Sequence, residues 1–175
     1  MLAEDLRTNS GTGLLTKAMI VTVRLGQSSR QATGAAALLS WPIRLLTAMS
    51  YRLLSAISNC SVPFTVTIGR RVRWEHGFNG IFVARDARIG DDCVIMHQVT
   101  IGSNLKTDAG RGSPVLQAGV LVGAGAKIIG GVTIGEGARI GAQALVTKDV
   151  PAGATCYAPA AKIVIPPGLK QADRC

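Results

Sequence analysis

The sequence predicts a mainly β chain wound as a parallel β-helix behind a short helical region, and three features predict it. From Val83 to Thr155 a large aliphatic recurs every six residues: Val83, Ile89, Ile95 and Ile101, then, after one interruption, Leu116, Val122, Ile128, Ile134, Ile140 and Val146. Four residues further on in each step stands a second apolar and usually small residue: Ala87, Cys93, Val99, Val120, Ala126, Val132, Ala138, Ala144, Val150 and Cys156. Glycine follows the aliphatic at Gly90, Gly102, Gly123, Gly135 and Gly141, where a bend after a short strand would use a positive φ. A helix cannot use this rhythm, because its 3.6-residue turn sets every sixth side chain about 240° from the last. Short strands stacked coil on coil bury one stripe instead. An antiparallel sandwich would need longer alternating runs than the chain contains.

Ahead of the repeat, residues 13–25 and 35–58 read as helices, with the polar stretch Gln27–Gly34 as the loop between them. Leu45, Leu46, Met49, Leu53, Leu54 and Ile57 recur at three- and four-residue steps, and Pro42 suits a helix start. These basic amphipathic helices are expected to cap the open end of the solenoid or to meet another subunit, with peripheral contact to an anionic membrane as the second use. The resulting division is a helical region 1–60, a β-helix 61–157 with a protruding loop 103–114, and a tail 158–175.

Composition narrows the classes. Apolar residues make up 47% and aromatics 4%, which suits a narrow prism filled by Ile, Val and Ala. The formal charge of +9 would fit nucleic acid, but sparse aromatics and the absence of a nucleic-acid motif turn the reading toward phosphate-bearing small molecules. The cysteines Cys60, Cys93, Cys156 and Cys175 have no paired spacing, and Cys93 and Cys156 fall on small core positions, as in a reducing compartment. The acidic start Met1-Leu2-Ala3-Glu4-Asp5 lacks a basic n-region and no apolar run reaches membrane-spanning length, so a cytoplasmic protein is expected. No metal site is expected, because two histidines alone make a poor zinc ligand set.

The pattern aliphatic-Gly-x-x-small-x resembles the hexapeptide repeat of acyltransferases that fold as a left-handed parallel β-helix with three hexapeptides per coil. The hand comes from that resemblance, since the general rule for parallel crossovers favours the right. About 14 hexapeptides, or four to five coils, are counted if Val62, Ile68 and Trp74 are included.

The repeat breaks twice, at Trp74–Gly80 and at Ser103–Ser113, and insertions in a solenoid are often on its working face. Acetyl transfer to a hydroxyl needs a base near neutral pH, and the candidates are His76, in the first break beside Glu75, and His97, inside the regular run at a position expected to point outward. The segments Trp74-Glu75-His76-Gly77-Phe78-Asn79-Gly80-Ile81-Phe82-Val83, Val99–Gly102 and Val122–Gly130 resemble serine O-acetyltransferases, and more closely the short serine-acetyltransferase-like enzymes of bacterial polysaccharide clusters, including the colanic acid type. The resemblance spans Val62 to about Val164.

The resemblance implies a homotrimer with acetyl-CoA bound between subunits, His76 as general base and direct transfer without an acyl-enzyme. It agrees with the lack of a Ser or Cys nucleophile motif. It also implies backbone N–H groups at Gly102 and Ser103 facing the oxyanion, Ala124 and Ala142 against the pantetheine, and Arg139 toward the nucleotide phosphates, with Lys148 and Lys162 as further phosphate candidates. Three departures bear on the acceptor. Gly112-Ser113-Pro114 stands where those enzymes carry Arg-His-Pro; Ser61 stands where they carry the carboxylate that orients the base, leaving Glu75 as the available one; and the helical region is short. A sugar or polysaccharide-precursor hydroxyl is therefore the expected acceptor, with L-serine second. A non-catalytic scaffold is the reading from another class, and a metal-dependent carbonic-anhydrase-like reading fails for want of a third histidine.

Overall fold

The computed structural model describes residues 1–33, 40–104, 112–162 and 164. Among the described residues thirteen strands of two or three residues form three parallel sheets: β1 (Thr67–Ile68), β4 (Arg88–Ile89), β7 (Val115–Leu116) and β10 (Thr133–Ile134) in one; β2 (Arg73–Trp74), β5 (Val94–Ile95), β8 (Leu121–Val122), β11 (Arg139–Ile140) and β13 (Thr155–Cys156) in the second; β3 (Phe82–Val83), β6 (Thr100–Gly102), β9 (Lys127–Ile129) and β12 (Leu145–Val146) in the third. The chain visits the sheets in rotation, so each coil lays one strand on each face of a triangular prism. Register is strict: Ile95 pairs with Val122, and Val122 with Ile140.

The six-residue rhythm is the core. Every aliphatic of the series from Val83 to Val146 is buried, and Ile95, Ile101, Val122, Ile128, Ile134 and Ile140 are fully so. Small positions Cys93, Val99, Val120, Ala126 and Ala138 are equally closed, while Val150 and Cys156, in the last coil, are only partly covered. A buried thiol is hard to ionise, and burial pushes Cys60 and Cys93 up to about 11.

The glycines after the aliphatics work differently from the expectation. Gly90, Gly102, Gly123, Gly135 and Gly141 do not have positive φ; they sit where one coil touches the next. A Cβ on Gly123 would lie 2.6 Å from the Ala142 nitrogen, and one on Gly90 would lie 2.7 Å from the Gln117 carbonyl carbon. Left-handed backbone falls three residues after the inward aliphatic instead, at Asp92, Gln98, Gly119, Gly125, Gly137 and Gln143, so the corner is turned there.

The helical region also differs. An unexpected α1 (Leu2–Thr8) precedes α2 (Leu14–Gln31), which takes in Gln27–Gln31 of the stretch Gln27–Gly34 expected to be a loop; Ala32 and Thr33 are non-helical, and Gly34 is outside the described residues. Its polar residues are used in contacts: Gln27 Nε2 donates to the Val66 carbonyl at 2.8 Å, and the Ser29 carbonyl accepts from Arg44. Helix α3 (Trp41–Ser58) lies within the expected 35–58, residues 35–39 being outside the described ones. Its stripe is inverted: Leu45, Leu46, Met49, Leu53 and Ile57 are exposed, while Thr47 and Ser58 are buried and only Leu54 of the stripe packs on the core. Helices α1 and α2 cover the first coil. The buried Asp5 carboxylate takes Arg24 Nε at 2.8 Å and the Arg71 amide at 2.9 Å, and Arg24 also donates to the Ile68 carbonyl.

Candidate active site

Between Trp74 and Val83 the step is nine residues instead of six, and the three extra residues bulge from the corner after β2. Phe78 folds back to stack on Trp74 at 4.4 Å, anchoring the bulge in the core. Its backbone is tied off by Gly77 N to the Trp74 carbonyl, Gly80 N to the Ser58 carbonyl and Gln98 N to the Asn79 carbonyl. His76 takes a left-handed φ of 64°, held by the Asn79 side-chain amide donating to its carbonyl. At Gly77, also left-handed, a Cβ would meet Thr16 Oγ1 of α2 at 2.7 Å, so glycine lets the helix close over the bulge.

The helices make the other wall. Asn9 donates to the Val72 carbonyl and accepts from the Trp74 amide at 2.9 Å, which fastens the α1–α2 connection to β2. A cavity of about 580 Å³ opens between them, lined among others by Thr12, Thr16, Ser58, Arg73, Glu75, His76 and Asn79. Glu75 shares the cavity with His76, but its Oε2 is 2.9 Å from Arg73 Nε, so its charge is engaged along the strand. Ser61 is not among the lining residues; its backbone bridges to Phe82.

Strand register reveals a grouping that residue counting hides. His76, His97, Ala124 and Ala142 each stand two residues after the inward apolar residue of the same sheet, at Trp74, Ile95, Val122 and Ile140. They form one column down one corner of the prism. The two imidazoles are edge-on with centroids 5.3 Å apart, about one coil rise. His97, expected to point outward, is partly buried against His76, and its Nδ1 is closed from solvent with no hydrogen-bond partner. With strands about 4.8 Å apart, Ala124 lies about 10 Å and Ala142 about 14 Å along the axis from His76. The gaps of 21, 27 and 18 residues concealed the column, because the bulge and the second insertion lengthen two of them; counting coils would have found it.

Arg139 is exposed on β11, in the coil of Ala142. Gly102, Ser103 and Lys148 lie at the next corner, one prism face away from His76, and one protomer does not bring them to it. Lys162 is exposed beyond the last coil. Of the loop 103–114, residues 105–111 lie outside the described ones; its base is closed by Asn104 N to the Gly112 carbonyl and Gly112 N to Asn104 Oδ1.

Against this geometry stand the resemblances to known proteins. Residues 113–148 match the bacterial transferase hexapeptide (six repeats) family. A serine acetyltransferase of Helicobacter pylori is 41% identical over 97 residues, covering 55% of this chain and 56% of the relative. A solved serine acetyltransferase in complex with CoA is 27% identical, with a TM-score of 0.61 over 86% of this chain and 55% of that one. Serine acetyltransferase isoform 3 of Entamoeba histolytica, solved with cysteine, shares the fold at 19% identity, with a TM-score of 0.73 over 94% of this chain and 59% of that one. The chain spans little more than half the length of these proteins. Their names give no support to the polysaccharide-cluster subtype. Along its coils the chain is a left-handed parallel β-helix, carrying the transferase hexapeptide repeat and similar in sequence and fold to serine acetyltransferases.

Proposed function

We propose that the protein moves an acetyl group from acetyl-CoA to a hydroxyl, with His76 as general base and L-serine as the first acceptor. The observation that supports it is the column: His76, on left-handed backbone, and His97 stand at the head of a row whose last two members are alanines. Ala124 and Ala142 leave room for an extended pantetheine arm against the corner, with the thioester at the histidine end and Arg139 beside the far end. His76 takes the hydroxyl proton, the oxygen attacks the thioester carbonyl, and the C–S bond breaks as the proton passes to the departing sulfur. Glu75 is engaged by Arg73, which leaves His76 as the proton acceptor and gives the pair the role of fixing the cavity wall.

Gly102, Ser103 and Lys148, one prism face away, join this chemistry from the neighbouring subunit of a homotrimer, where backbone N–H groups meet the oxyanion. The serine acetyltransferase relatives favour serine as acceptor. A saccharide hydroxyl is the second reading, favoured by a cavity of about 580 Å³, roomy for a single amino acid, and by Gly112-Ser113-Pro114 in the acceptor segment.

Thiol release from acetyl-CoA with serine and a panel of sugars tests both. Serine is expected to saturate the wild type, and His76→Ala to slow release by about 10²- to 10⁴-fold. An unchanged rate removes His76 from the mechanism, and coenzyme A binding without turnover on any acceptor moves the chain to the non-catalytic scaffold reading.

A further inference from the structure

The inverted stripe of α3 is a feature that the candidate site does not use. Trp41, Leu45, Leu46, Met49, Leu53 and Ile57 are each between 50 and 66% exposed along one side of the helix. A globular helix normally turns that face inward, and an apolar surface of this extent marks a contact. At one edge of it lies a second cavity, of about 390 Å³, lined by Arg30, Arg52 and Arg85 together with Tyr51, Phe64 and Ser61. None of the three guanidinium groups has an ion-pair partner among the described residues; Arg30 rests over the Phe64 ring at 5.6 Å. From Leu6 to Trp74 the sequence contains no acidic residue, and of the basic residues in that span Arg24, Arg71 and Arg73 are ion-paired, with Asp5, Asp92 and Glu75, none of them lining that cavity.

We propose that α3 docks on the surface of an anionic membrane, its apolar side entering the headgroup region and the Arg30, Arg52 and Arg85 cavity receiving lipid phosphates. The charge decides the occupant. A second copy laid on the same face would bring a cationic surface against itself, whereas an anionic bilayer offers both apolar depth and negative charge. No helix among the described residues is long and apolar enough to cross a membrane, so the contact is interfacial.

Sedimentation of the full chain with vesicles tests this. Binding is expected to vesicles of phosphatidylcholine mixed with phosphatidylglycerol, weakening with salt, and not to phosphatidylcholine alone. Trp41 is exposed and Trp74 buried, so a blue shift of tryptophan emission on binding reports α3. Leu46→Glu with Leu53→Glu is expected to abolish binding and shift alike, while Arg30→Gln, Arg52→Gln and Arg85→Gln each weaken binding about fivefold. Circular dichroism and the melting temperature, measured without lipid, confirm that each variant folds; the polar Arg→Gln series carries the test if the Glu pair does not. Three results overturn the proposal: no sedimentation, sedimentation untouched by both sets of substitutions, or a lipid-free mass that falls in the Glu variant, which makes the occupant a second copy. Saturation of the arginine cavity by inorganic phosphate with no vesicle binding overturns it too. None of these readouts uses acetyl-CoA, so failure here leaves the proposed reaction standing.

Discussion

His97 is the residue at which positioning and proton transfer come apart. It touches the ring of His76 at 5.3 Å and keeps a buried nitrogen without a partner, yet it stands on a regular corner where the backbone is fixed by Gly125 N donating to its carbonyl. A ring in that place holds the His76 imidazole at its angle, and in the proposed reaction a misplacement of about 1 Å costs on the order of 10²-fold in rate. His97→Ala is therefore expected to lower kcat by up to about 10²-fold with the KM for acetyl-CoA little changed, and His97→Phe, which restores a ring, to recover most of it. Steady-state kinetics on the three proteins check this; equal losses in Ala and Phe would assign His97 a proton-transfer role instead. His76 itself was legible in the sequence because it interrupts a rhythm. His97 was not, since a histidine inside a regular run shows nothing of its cross-coil neighbour.

At the scale of the element, the corner glycines separate two costs that a sequence cannot distinguish. Gly123 has no unusual φ, so alanine there costs only through the clash with the Ala142 nitrogen. Overpacking of this kind is expected to destabilise by about 1 to 3 kcal/mol, whereas Gly11→Ala, with open space around it, is expected to be near neutral. Urea unfolding of the two variants checks the contrast, and equal stabilities would contradict the close stacking of coils. The aliphatic series was legible residue by residue because each inward position is buried in the same way. The use of the glycines was not, because contact between coils joins residues many positions apart. Helix α3 shows the same limit from the other side: the spacing of Leu45, Met49 and Leu53 identified a helix, but periodicity alone does not say whether the stripe faces the core or the outside. The extension of α2 through Gln27–Gln31 was hidden because the Gln27 side chain finds its partner on the Val66 carbonyl and the Ser29 carbonyl takes the Arg44 guanidinium, contacts that only the fold supplies.

For the whole molecule, the helical cap packs along the first coil, and the His76 cavity lies in that contact. Asp5 and Arg24, both buried, bind the helices to the first coil through carbonyls and amides of residues 68 to 71, so the wall opposite His76 is set by contacts far from it in sequence. A crystal structure of the protein grown with coenzyme A measures the consequence most directly. The result expected is a pantetheine arm lying along Ala124 and Ala142 at a boundary between subunits, its sulfur within hydrogen-bonding reach of His76 and its phosphates toward Arg139. Coenzyme A bound at another corner, or a sulfur directed away from His76, would contradict it.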